Sequence, residues 1–356
     1  MSKTKKIVTL PGDGIGPEVT QEAITVLKSA CKKYDYEIQV EEKPFGGVSI
    51  EQFDTPLTKD TLDACRNASA VFLGAVGNPK FDDNPKEKRP EAGLLGIRKK
   101  LQLFANLRPI KIYEPLIDAS SLKPEVIRDV DIMIVRELTG GIYFGTSDEE
   151  EDLAFDTMEY EQHEIYSIAK VAFDIAQKRR KNVCSVDKAN VLDTSRLWRR
   201  TVTGYAPEWP DVTLQHMLVD NCAMQLVRDP AQFDVILTSN MFGDILSDEA
   251  SMLTGSIGML PSASLGETSM LFEPVHGSAP DIAGEGKANP VAAIASAAML
   301  CRHAFGLEEA AQEIEGAITS TLNDGLRTAD IYSGSQDESL VNTSEMGAAI
   351  QEKLNN

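Results

Sequence analysis

Short apolar runs alternate with amphipathic stretches along most of the chain. Residues 7–10 and 70–76 are almost entirely apolar, as buried strands are, and Ile38 and Val40 alternate with polar neighbours as in a half-buried strand. Similar runs predict further strands over residues 131–135, 183–186, 212–219 and 234–237. Strands that alternate with helical patterns in this way favour an α/β fold.

Helical spacing of apolar residues fills most segments between these strands. The first helix is predicted from Pro17, which suits the first helical position, to residue 30. Longer helices are predicted over residues 94–104, 161–180, 290–305 and 307–326. Residues 261–273 are predicted to be irregular with a strand at their end. Residues 78–91 form a loop long enough to be either functional or disordered.

A glycine-rich turn, GDGIG at residues 12–16, connects the first strand and the first helix. It partly matches the dinucleotide-binding pattern GxGxxG, but Pro17 stands where that pattern requires glycine. Glu41 or Glu42 would have to supply the ribose carboxylate of such a site. We favour the alternative of a strained turn lining a cleft, where glycines let the backbone approach a ligand.

Two acidic residues follow the strand predicted over residues 234–237. Asp244 and Asp248 are four residues apart in a helical pattern, so their side chains share one helix face. Bare carboxylates at this spacing repel each other, and a divalent cation would relieve that repulsion. Ligands that are all oxygen favour Mg²⁺ or Mn²⁺ over zinc. Taken alone, however, such a pair is more often a solvated face.

Other charged residues have two interpretations each. Arg98, Arg108 and Arg136 lie at or next to the ends of apolar elements, where guanidinium groups could bind a dicarboxylate through paired hydrogen bonds. Singly, each is more often a surface or salt-bridge arginine. Asp220 lies where a strand pattern gives way to a helix pattern, which by itself indicates a helix N-cap. The acidic run at residues 147–152 is by itself a solvated loop.

Composition narrows the class of protein. A length of 356 residues suggests about two domains. The net charge of -20 argues against a nucleic-acid partner, and it requires that any site for a dianion concentrate arginine locally. The five cysteines are widely spaced without a CxxC motif, which fits reduced thiols in the cytoplasm. We expect neither a signal peptide nor a membrane helix, which needs about 18 consecutive apolar residues.

Eight segments carry motifs that occur in one order along the chain. They are LPGDGIGPEV (10–19), LLGIR (94–98), NLRP (106–109), RELTGGIYFG (136–145), DKANVL (187–192), VDN (219–221), NMFGDILSD (240–248) and EPVHGSAPDIAG (273–284). Together they resemble the β-decarboxylating dehydrogenases, a family that comprises isopropylmalate, isocitrate, homoisocitrate and tartrate/malate dehydrogenases. The resemblance spans nearly the whole chain and favours the chemical interpretation of each charged residue above.

This resemblance implies a two-domain α/β fold with a central mixed sheet, distinct from a Rossmann fold. Residues 1–103 and 256–356 would form the first domain, on the NAD-binding side. Residues 104–255 would form the second, with the metal and catalytic residues and the interface of a homodimer. Residues 137–160 would form an arm that clasps the second copy. Lys188 and Asp220 would act in the active site of that other copy.

The same resemblance implies the chemical roles. Substrate would be bound by Arg98, Arg108, Arg136, Leu94, Leu95 and Asp220, and Mg²⁺ or Mn²⁺ by Asp244, Asp248 and Asp220 of the partner subunit. Lys188 would assist deprotonation of the substrate hydroxyl, which permits hydride transfer to the nicotinamide. Loss of CO₂ would leave an enolate, which Tyr143 would protonate.

The segment at residues 276–284 would bind the adenosine ribose. Asp281 could accept hydrogen bonds from both ribose hydroxyls and would repel a 2′-phosphate, so NAD is the expected cofactor and not NADP. The resemblance implies further cofactor contacts from Asn78, Glu91, His276, Gly277, Ser278, Ala279, Ile282 and Asn289.

The helix that carries Arg98 indicates which acid is bound. Glu91, Leu94 and Leu95 occur where isocitrate relatives carry a serine and an asparagine that grip an additional carboxylate. A leucine pair, unless it is only helix core, makes an apolar wall that suits an isopropyl group and leaves a third carboxylate unpaired. We therefore expect 3-isopropylmalate as the substrate and a role in leucine biosynthesis. A tartrate or D-malate dehydrogenase is the alternative, and a non-catalytic regulatory subunit is disfavoured because the catalytic residues are present.

Overall fold

The computed structural model describes residues 3–356, which divide into two compact units. The first unit combines the N-terminal segment up to Gln102 with Gly255–Asn356, and the second is Leu103–Thr254. Each unit contains one set of five hydrogen-bonded strands of mixed direction, with helices packed on them, and also one two-stranded sheet. The predicted α/β class with mixed strands is confirmed.

The elements follow one another in three stretches. The N-terminal stretch contains β1 (Lys3–Gly12), α1 (Gly16–Lys32), β2 (Tyr36–Glu42), α2 (Gly47–Phe53), α3 (Lys59–Arg66), β3 (Ala70–Ala75) and α4 (Pro90–Lys100). The middle stretch contains β4 (Ala105–Lys111), α5 (Pro124–Ile127), β5 (Asp131–Glu137), β6 (Ser147–Glu149), β7 (Ala154–Asp156), α6 (Gln162–Gln177), β8 (Asn182–Asp187), α7 (Asp193–Tyr205), β9 (Thr213–Leu218), α8 (Val219–Arg228), β10 (Val235–Thr238) and α9 (Asn240–Ser251). The C-terminal stretch contains β11 (Pro261–Leu265), β12 (Met270–Pro274), α10 (Val291–Ala304), α11 (Glu308–Asn323), β13 (Leu326–Arg327), β14 (Ser339–Leu340) and α12 (Thr343–Asn355).

The strands of the first unit run in the order β2-β1-β3-β12-β11. The first four are parallel, and β11 is antiparallel to β12. Helix α10 lies against β11 and β12 and also contacts α1 and α11. Every residue from Val291 to Cys301 is buried, because an alanine-rich helix can be covered on all sides. The predicted buried helix at residues 290–305 is confirmed.

The strands of the second unit run in the order β4-β5-β10-β8-β9. The last four are parallel, and β4 is antiparallel to β5. The carboxyl ends of four neighbouring strands therefore lie at one edge, where ligand sites of α/β proteins usually form. Arg136, Lys188, Asp220 and Asn240 all lie at that edge or directly after it.

Some sequence expectations were wrong. In residues 261–273 the strand expected at the end is present as β12, but the part predicted to be irregular contains a second strand, β11, whose small residues lack the alternation that marks a strand. Helix α4 begins at Pro90 and ends at Lys100, so it starts four residues early and excludes Leu101–Phe104. Strand β4 was not predicted, since Arg108 and Pro109 interrupt its apolar run. Residues 78–91 are ordered and contain two short 3-10 turns.

The exposed hairpin β6–β7 lies within the predicted arm. Its six strand residues are all exposed, and the strands pair from Ser147 with Asp156 to Glu149 with Ala154. The acidic run at residues 147–152 thus lies partly in a strand and is not simply a loop. No helix formed by residues 3–356 is long and apolar enough to cross a membrane.

The turn between β1 and α1 needs glycine for a reason that the sequence did not indicate. A Cβ on Gly12 would lie 1.9 Å from the carbonyl oxygen of Ala75, and one on Gly14 would lie 1.9 Å from that of Ser278. The backbone N–H of Ile15 donates to the same Ser278 oxygen at 2.8 Å. The glycines therefore let the turn approach the protein's own backbone at two places.

We predict opposite effects of alanine at two glycines of the first unit. Gly14→Ala should lower stability by about 2 kcal/mol or more, because φ is +55° and the new Cβ would overlap Ser278. Gly316→Ala, on the exposed face of α11 with open space around it, should raise stability by about 0.5–1 kcal/mol. Thermal unfolding measures both, and a Gly14→Ala midpoint equal to the wild-type value would contradict the close approach.

Candidate active site

The guanidinium group of Arg136 is the centre of a charged cluster in the second unit. Arg136 lies near the carboxyl end of β5, and its side chain is 2% exposed. Its Nη1 donates to Asp244 on α9, whereas Nε and Nη2 donate to the amide oxygen of Asn240 at 3.1 and 2.7 Å. Every nitrogen of this buried cation has an acceptor, which offsets the cost of its burial.

Arg108, on the neighbouring strand β4, approaches the same face of α9. Its Nη1 lies 2.6 Å from Ser247 Oγ and 3.4 Å from Asp248 Oδ1, and its Nη2 lies 3.5 Å from Asp244 Oδ1. Its Nε donates to Asn106 Oδ1 at 2.8 Å. The cluster thus contains two guanidinium groups, which the pairing of β4 with β5 brings together, and two carboxylates from α9.

Asp244 and Asp248 project from one face of α9, as their spacing predicted. Their side chains are 35% and 56% exposed, so both remain accessible to an ion. Burial raises the pKa of Asp248, and the nearby Arg108 opposes that shift. Two accessible carboxylates fit a hard divalent cation, but within residues 3–356 no three His, Cys, Asp or Glu side chains converge on one metal position.

Tyr143 belongs to the same cluster. Its hydroxyl donates to Asp244 Oδ2 at 3.0 Å, and the Arg136 guanidinium lies 5.9 Å from the centre of its ring. Burial raises the pKa of Tyr143, and the charge of Asp244 raises it further. The phenol therefore keeps its proton at neutral pH and is available as a proton donor.

Lys188 and Asp220 form a separate pair. They follow the adjacent parallel strands β8 and β9, so the two side chains meet, with Lys188 Nζ 2.7 Å from Asp220 Oδ1. The hydrogen bond from Lys188 lowers the pKa of Asp220. The N-cap interpretation of Asp220 was wrong, because α8 begins at Val219 and its N-cap is Leu218.

In the first unit, Arg98 is held by a single carboxylate. Its side chain is buried on α4, and Nη2 donates to Glu273 Oε1 at 2.8 Å. The buried Nε has no protein acceptor, so one donor is left over for a ligand. Leu94 and Leu95 are only half-buried, which disagrees with their being helix core.

The segment around His276 lies beside the β1–α1 turn of the same unit. Burial lowers the pKa of His276, whose Nδ1 lies 2.9 Å from the carbonyl oxygen of Gly277 and whose buried Nε2 has no protein partner. A Cβ on Gly77 would lie 3.3 Å from Ser278 Oγ and 3.4 Å from Glu91 Oε1, so these residues are neighbours. Asp281 is exposed. An orphaned imidazole nitrogen, open glycines and an exposed carboxylate fit a nucleotide.

Two predicted cofactor residues have structural partners. Asn78 Oδ1 caps a 3-10 turn by accepting from the Lys80 N–H at 3.1 Å. Asn289 Oδ1 accepts from the Val291 N–H at the start of α10, and its Nδ2 donates to Asp330 Oδ2 at 3.0 Å. Asn289 thereby holds the start of α10.

Several residues that support the charged groups were missed from the sequence. They are Asn106, Asn240 and Ser247 in the second unit and Glu273 and Asp330 in the first. Ser247 carried a usable signal, since it lies three residues after Asp244 and hence on the same helix face. Asn240 carried the same signal, because it lies four residues before Asp244. Glu273 and Asp330 lie far along the chain from Arg98 and Asn289, so no local pattern indicated those pairs.

The two units of mixed α/β structure and the arginine–carboxylate cluster at the strand ends are accompanied by similarity to a known family. A family model described as isocitrate/isopropylmalate dehydrogenase matches residues 6–350, and the chain belongs to this family. Similar curated proteins include the 3-isopropylmalate dehydrogenases of Chlorobium luteolum, which is 56% identical over 97% of this chain and 98% of its own, and of Bacillus subtilis, which is 56% identical over 97% of both. Among solved structures, isocitrate dehydrogenase from Methylococcus capsulatus has a TM-score of 0.89 and 35% identity, covering 99% of this chain and 100% of its own.

Proposed function

We propose that this protein catalyses the oxidative decarboxylation of 3-isopropylmalate to 2-oxoisocaproate (4-methyl-2-oxopentanoate) with reduction of NAD, in leucine biosynthesis. The observation that carries the proposal is the 56% identity with 3-isopropylmalate dehydrogenases over nearly the full length of both chains. The alternative of a tartrate or D-malate dehydrogenase has no comparable support.

The arginine cluster suits a dicarboxylate. Arg108 and Arg136 donate hydrogen bonds to the amide oxygens of Asn106 and Asn240, respectively. These bonds orient both guanidinium groups before a ligand binds. Arg98, with its unpartnered Nε, supplies a third cation. The half-buried Leu94 and Leu95 offer apolar surface for an isopropyl group. A third carboxylate placed against that surface would be desolvated without a partner, which disfavours isocitrate.

Asp244 and Asp248 would hold Mg²⁺ or Mn²⁺, completed by Asp220 of the partner subunit. When bound, the cation supplies Lewis-acid polarisation of the substrate oxygens, and NAD accepts the hydride. The two carboxylates are engaged by Arg108 and Arg136 in the present arrangement. Substrate carboxylates that pair with those arginines would release Asp244 and Asp248 for the metal, so we expect metal and substrate to assist each other's binding.

Lys188 and Tyr143 would move the protons. Lys188 would take the proton of the substrate hydroxyl as the hydride leaves the same carbon, and a β-keto acid results. The carbon–carbon bond to the carboxylate then breaks, CO₂ departs, and its electron pair forms the enolate. Tyr143 is a protonated phenol at neutral pH, and it gives its proton to the enolate carbon. Asp220, beside Lys188, positions that amine.

NAD would bind the first unit along the segment that carries His276 and Asp281. The neutral imidazole of His276 has a buried nitrogen available for a hydrogen bond. Glu91 and Ser278 lie close to Gly77, where a Cβ would come within 3.4 Å of both side chains. The remaining predicted contacts are Asn78, Gly277, Ala279, Ile282 and Asn289.

A homodimer with shared active sites completes the proposal. Exposed apolar side chains occur on α8 and α9, where Met224, Val227 and Ile245 are each at least 50% exposed, and on the hairpin at Leu153 and Phe155. A second copy would bury this surface. It would also bring Lys188 and Asp220 to the other copy's Asp244. We place the protein in the cytoplasm, as its free buried thiols suit a reducing compartment.

The substrate is tested by one comparison of NADH formation with Mg²⁺ present. The candidates are 3-isopropylmalate, D-malate, tartrate and isocitrate at equal concentrations. We expect kcat/KM for 3-isopropylmalate to exceed the others by at least about tenfold, since an apolar wall discriminates by roughly 1–3 kcal/mol. A preference for D-malate or tartrate would overturn the substrate assignment.

The role of Lys188 is tested by Lys188→Met, which keeps the length of the side chain and removes the amine. We expect kcat to fall by about 10²–10⁴-fold, the usual contribution of a general base, with the fold retained. Lys170→Met is a matched control, because Lys170 also pairs with an aspartate, Asp174 at 2.7 Å, but lies on α6 away from the site. Near-normal turnover in Lys188→Met would exclude the role.

Cofactor choice is tested by the double variant Asp281→Lys with Ile282→Tyr. A cation in place of Asp281 should attract the 2′-phosphate, so the ratio of kcat/KM for NADP to that for NAD should rise by at least about tenfold. Glu285→Lys adds the same charge change to an exposed residue four positions along the segment and should leave the ratio unaltered. An unchanged ratio in the double variant would count against contact between Asp281 and the ribose.

A further inference from the structure

Asn240 holds the guanidinium group of Arg136 from the side opposite Asp244. It is the first residue of α9 and is 1% exposed. Its amide oxygen accepts from both Nε and Nη2 of Arg136, at 3.1 and 2.7 Å. Because a guanidinium only donates, the orientation of the amide is unambiguous: the oxygen faces Arg136 and the NH₂ group faces away.

The other side of Asn240 contacts both ends of the predicted arm. Its Nδ2 donates to the carbonyl oxygen of Gly140 at 3.0 Å, and its backbone N–H donates to the hydroxyl oxygen of Tyr160 at 2.9 Å. Gly140 and Tyr160 bracket the segment that contains the β6–β7 hairpin. A single buried residue, Asn240, therefore connects Arg136 with Gly140 and Tyr160, the two residues that form the base of the arm.

Glu137 completes the network beneath the arm. Its carboxylate accepts from the Tyr160 hydroxyl at 3.1 Å and from the Thr139 and Gly140 N–H groups at 2.7 and 3.0 Å. Burial raises the pKa of Tyr160, so the hydroxyl keeps the proton that it donates. Each polar group around Asn240 has a partner, and fully satisfied buried networks of this kind are rigid.

The stem of Arg136 is also held by α9. A Cβ on Gly243 would lie 2.7 Å from Arg136 Cγ, so the helix backbone lies directly against the aliphatic part of the arginine. Gly243 thus restrains the stem, Asn240 restrains one edge of the guanidinium, and Asp244 contacts the remaining nitrogen. Helix α9 therefore contacts both the stem and the guanidinium group of Arg136.

We propose that Asn240 is a positioning residue that orients Arg136 towards the substrate carboxylate and couples this orientation to the base of the arm. This rests on the proposed function, in which Arg136 binds the substrate. Asn240 acts through Arg136 and does not itself contact the substrate. A movement of Gly140 or Tyr160, as when the arm engages a second copy, is transmitted through Asn240 to the guanidinium group.

The first test is substrate binding by Asn240→Ala in the full-length protein. Calorimetry with Mg²⁺ and without NAD gives the Kd for 3-isopropylmalate, which should rise about tenfold or more, since hydrogen bonds to a charged group contribute roughly 1.5–3 kcal/mol. The Kd for NAD, measured separately, should stay within about twofold. Asn182→Ala is the control, because that amide bonds the Arg180 carbonyl at the far end of β8. Unchanged 3-isopropylmalate binding in Asn240→Ala would overturn the proposal.

A double-mutant cycle with Arg136→Lys tests whether Asn240 acts through Arg136. Lysine keeps the charge but has no Nε or Nη2 for the amide oxygen. Asn240→Ala should therefore cost less than about twofold in Kd when added to Arg136→Lys. An equal loss in both backgrounds would show that the effect comes from a general disturbance of the site and would overturn the positioning role. Should Asn240→Ala not fold, the arm test on Tyr160→Phe decides the coupling.

Amide hydrogen exchange tests the coupling to the arm. Tyr160→Phe removes the acceptor for the Asn240 N–H while leaving the amide side chain intact. Exchange at residues 140–145 should become about tenfold faster or more in Asn240→Ala and in Tyr160→Phe, and Tyr160→Phe should also weaken 3-isopropylmalate binding. Wild-type exchange rates in both variants would overturn the coupling. If the wild-type protein binds no 3-isopropylmalate, the proposed function fails, whereas the exchange experiment still reports on the network.

Discussion

The burial of Arg136 in a strongly acidic chain is the constraint on which the site depends. A guanidinium group that is 2% exposed needs an acceptor for each of its nitrogens, because an unpaired buried charge costs several kcal/mol. Asn240 and Asp244 provide those acceptors, and both project from α9. The burial of Arg136 therefore requires α9 to lie where it does, since that helix supplies the acceptors.

The parallel order of β5, β10, β8 and β9 explains why distant segments of sequence share a site. Parallel strands end at the same edge, so the residues that follow them meet without any special loop. Arg136 follows this rule on β5 and Asn240 after β10, while Lys188 and Asp220 meet after β8 and β9. Strand β4 is antiparallel to β5, and Arg108 lies in the middle of β4. The pairing of these two strands places its guanidinium group beside that of Arg136.

Charge distribution also reconciles an acidic protein with a dianionic ligand. The chain has a net charge of -20, yet two arginines of neighbouring strands, Arg108 and Arg136, contact the same face of α9. Their partners are Asp244 and Asp248, so this part of the site is near neutrality as it stands. A dicarboxylate and a divalent cation would together add no net charge. The dicarboxylate would pair with the two arginines, and the cation would pair with the two aspartates. In the first unit, the single pair of Arg98 with Glu273 leaves one donor open.

Sequence by itself determined the α/β class, most of the strands and long helices, and the residues that carry charge in the site. Apolar periodicity and i,i+4 spacing are local, so they placed Asp244 and Asp248 on one helix face without any tertiary information. The sequence did not show the strand β11, whose small buried residues have no alternation, or the strand β4 that Arg108 and Pro109 interrupt. Only the tertiary structure decided which groups meet: Asn240 with Arg136, Lys188 with Asp220, and Gly14 with Ser278. Such contacts join residues that are dozens to hundreds of positions apart, and they depend on strand order and burial, which no local pattern of residues encodes.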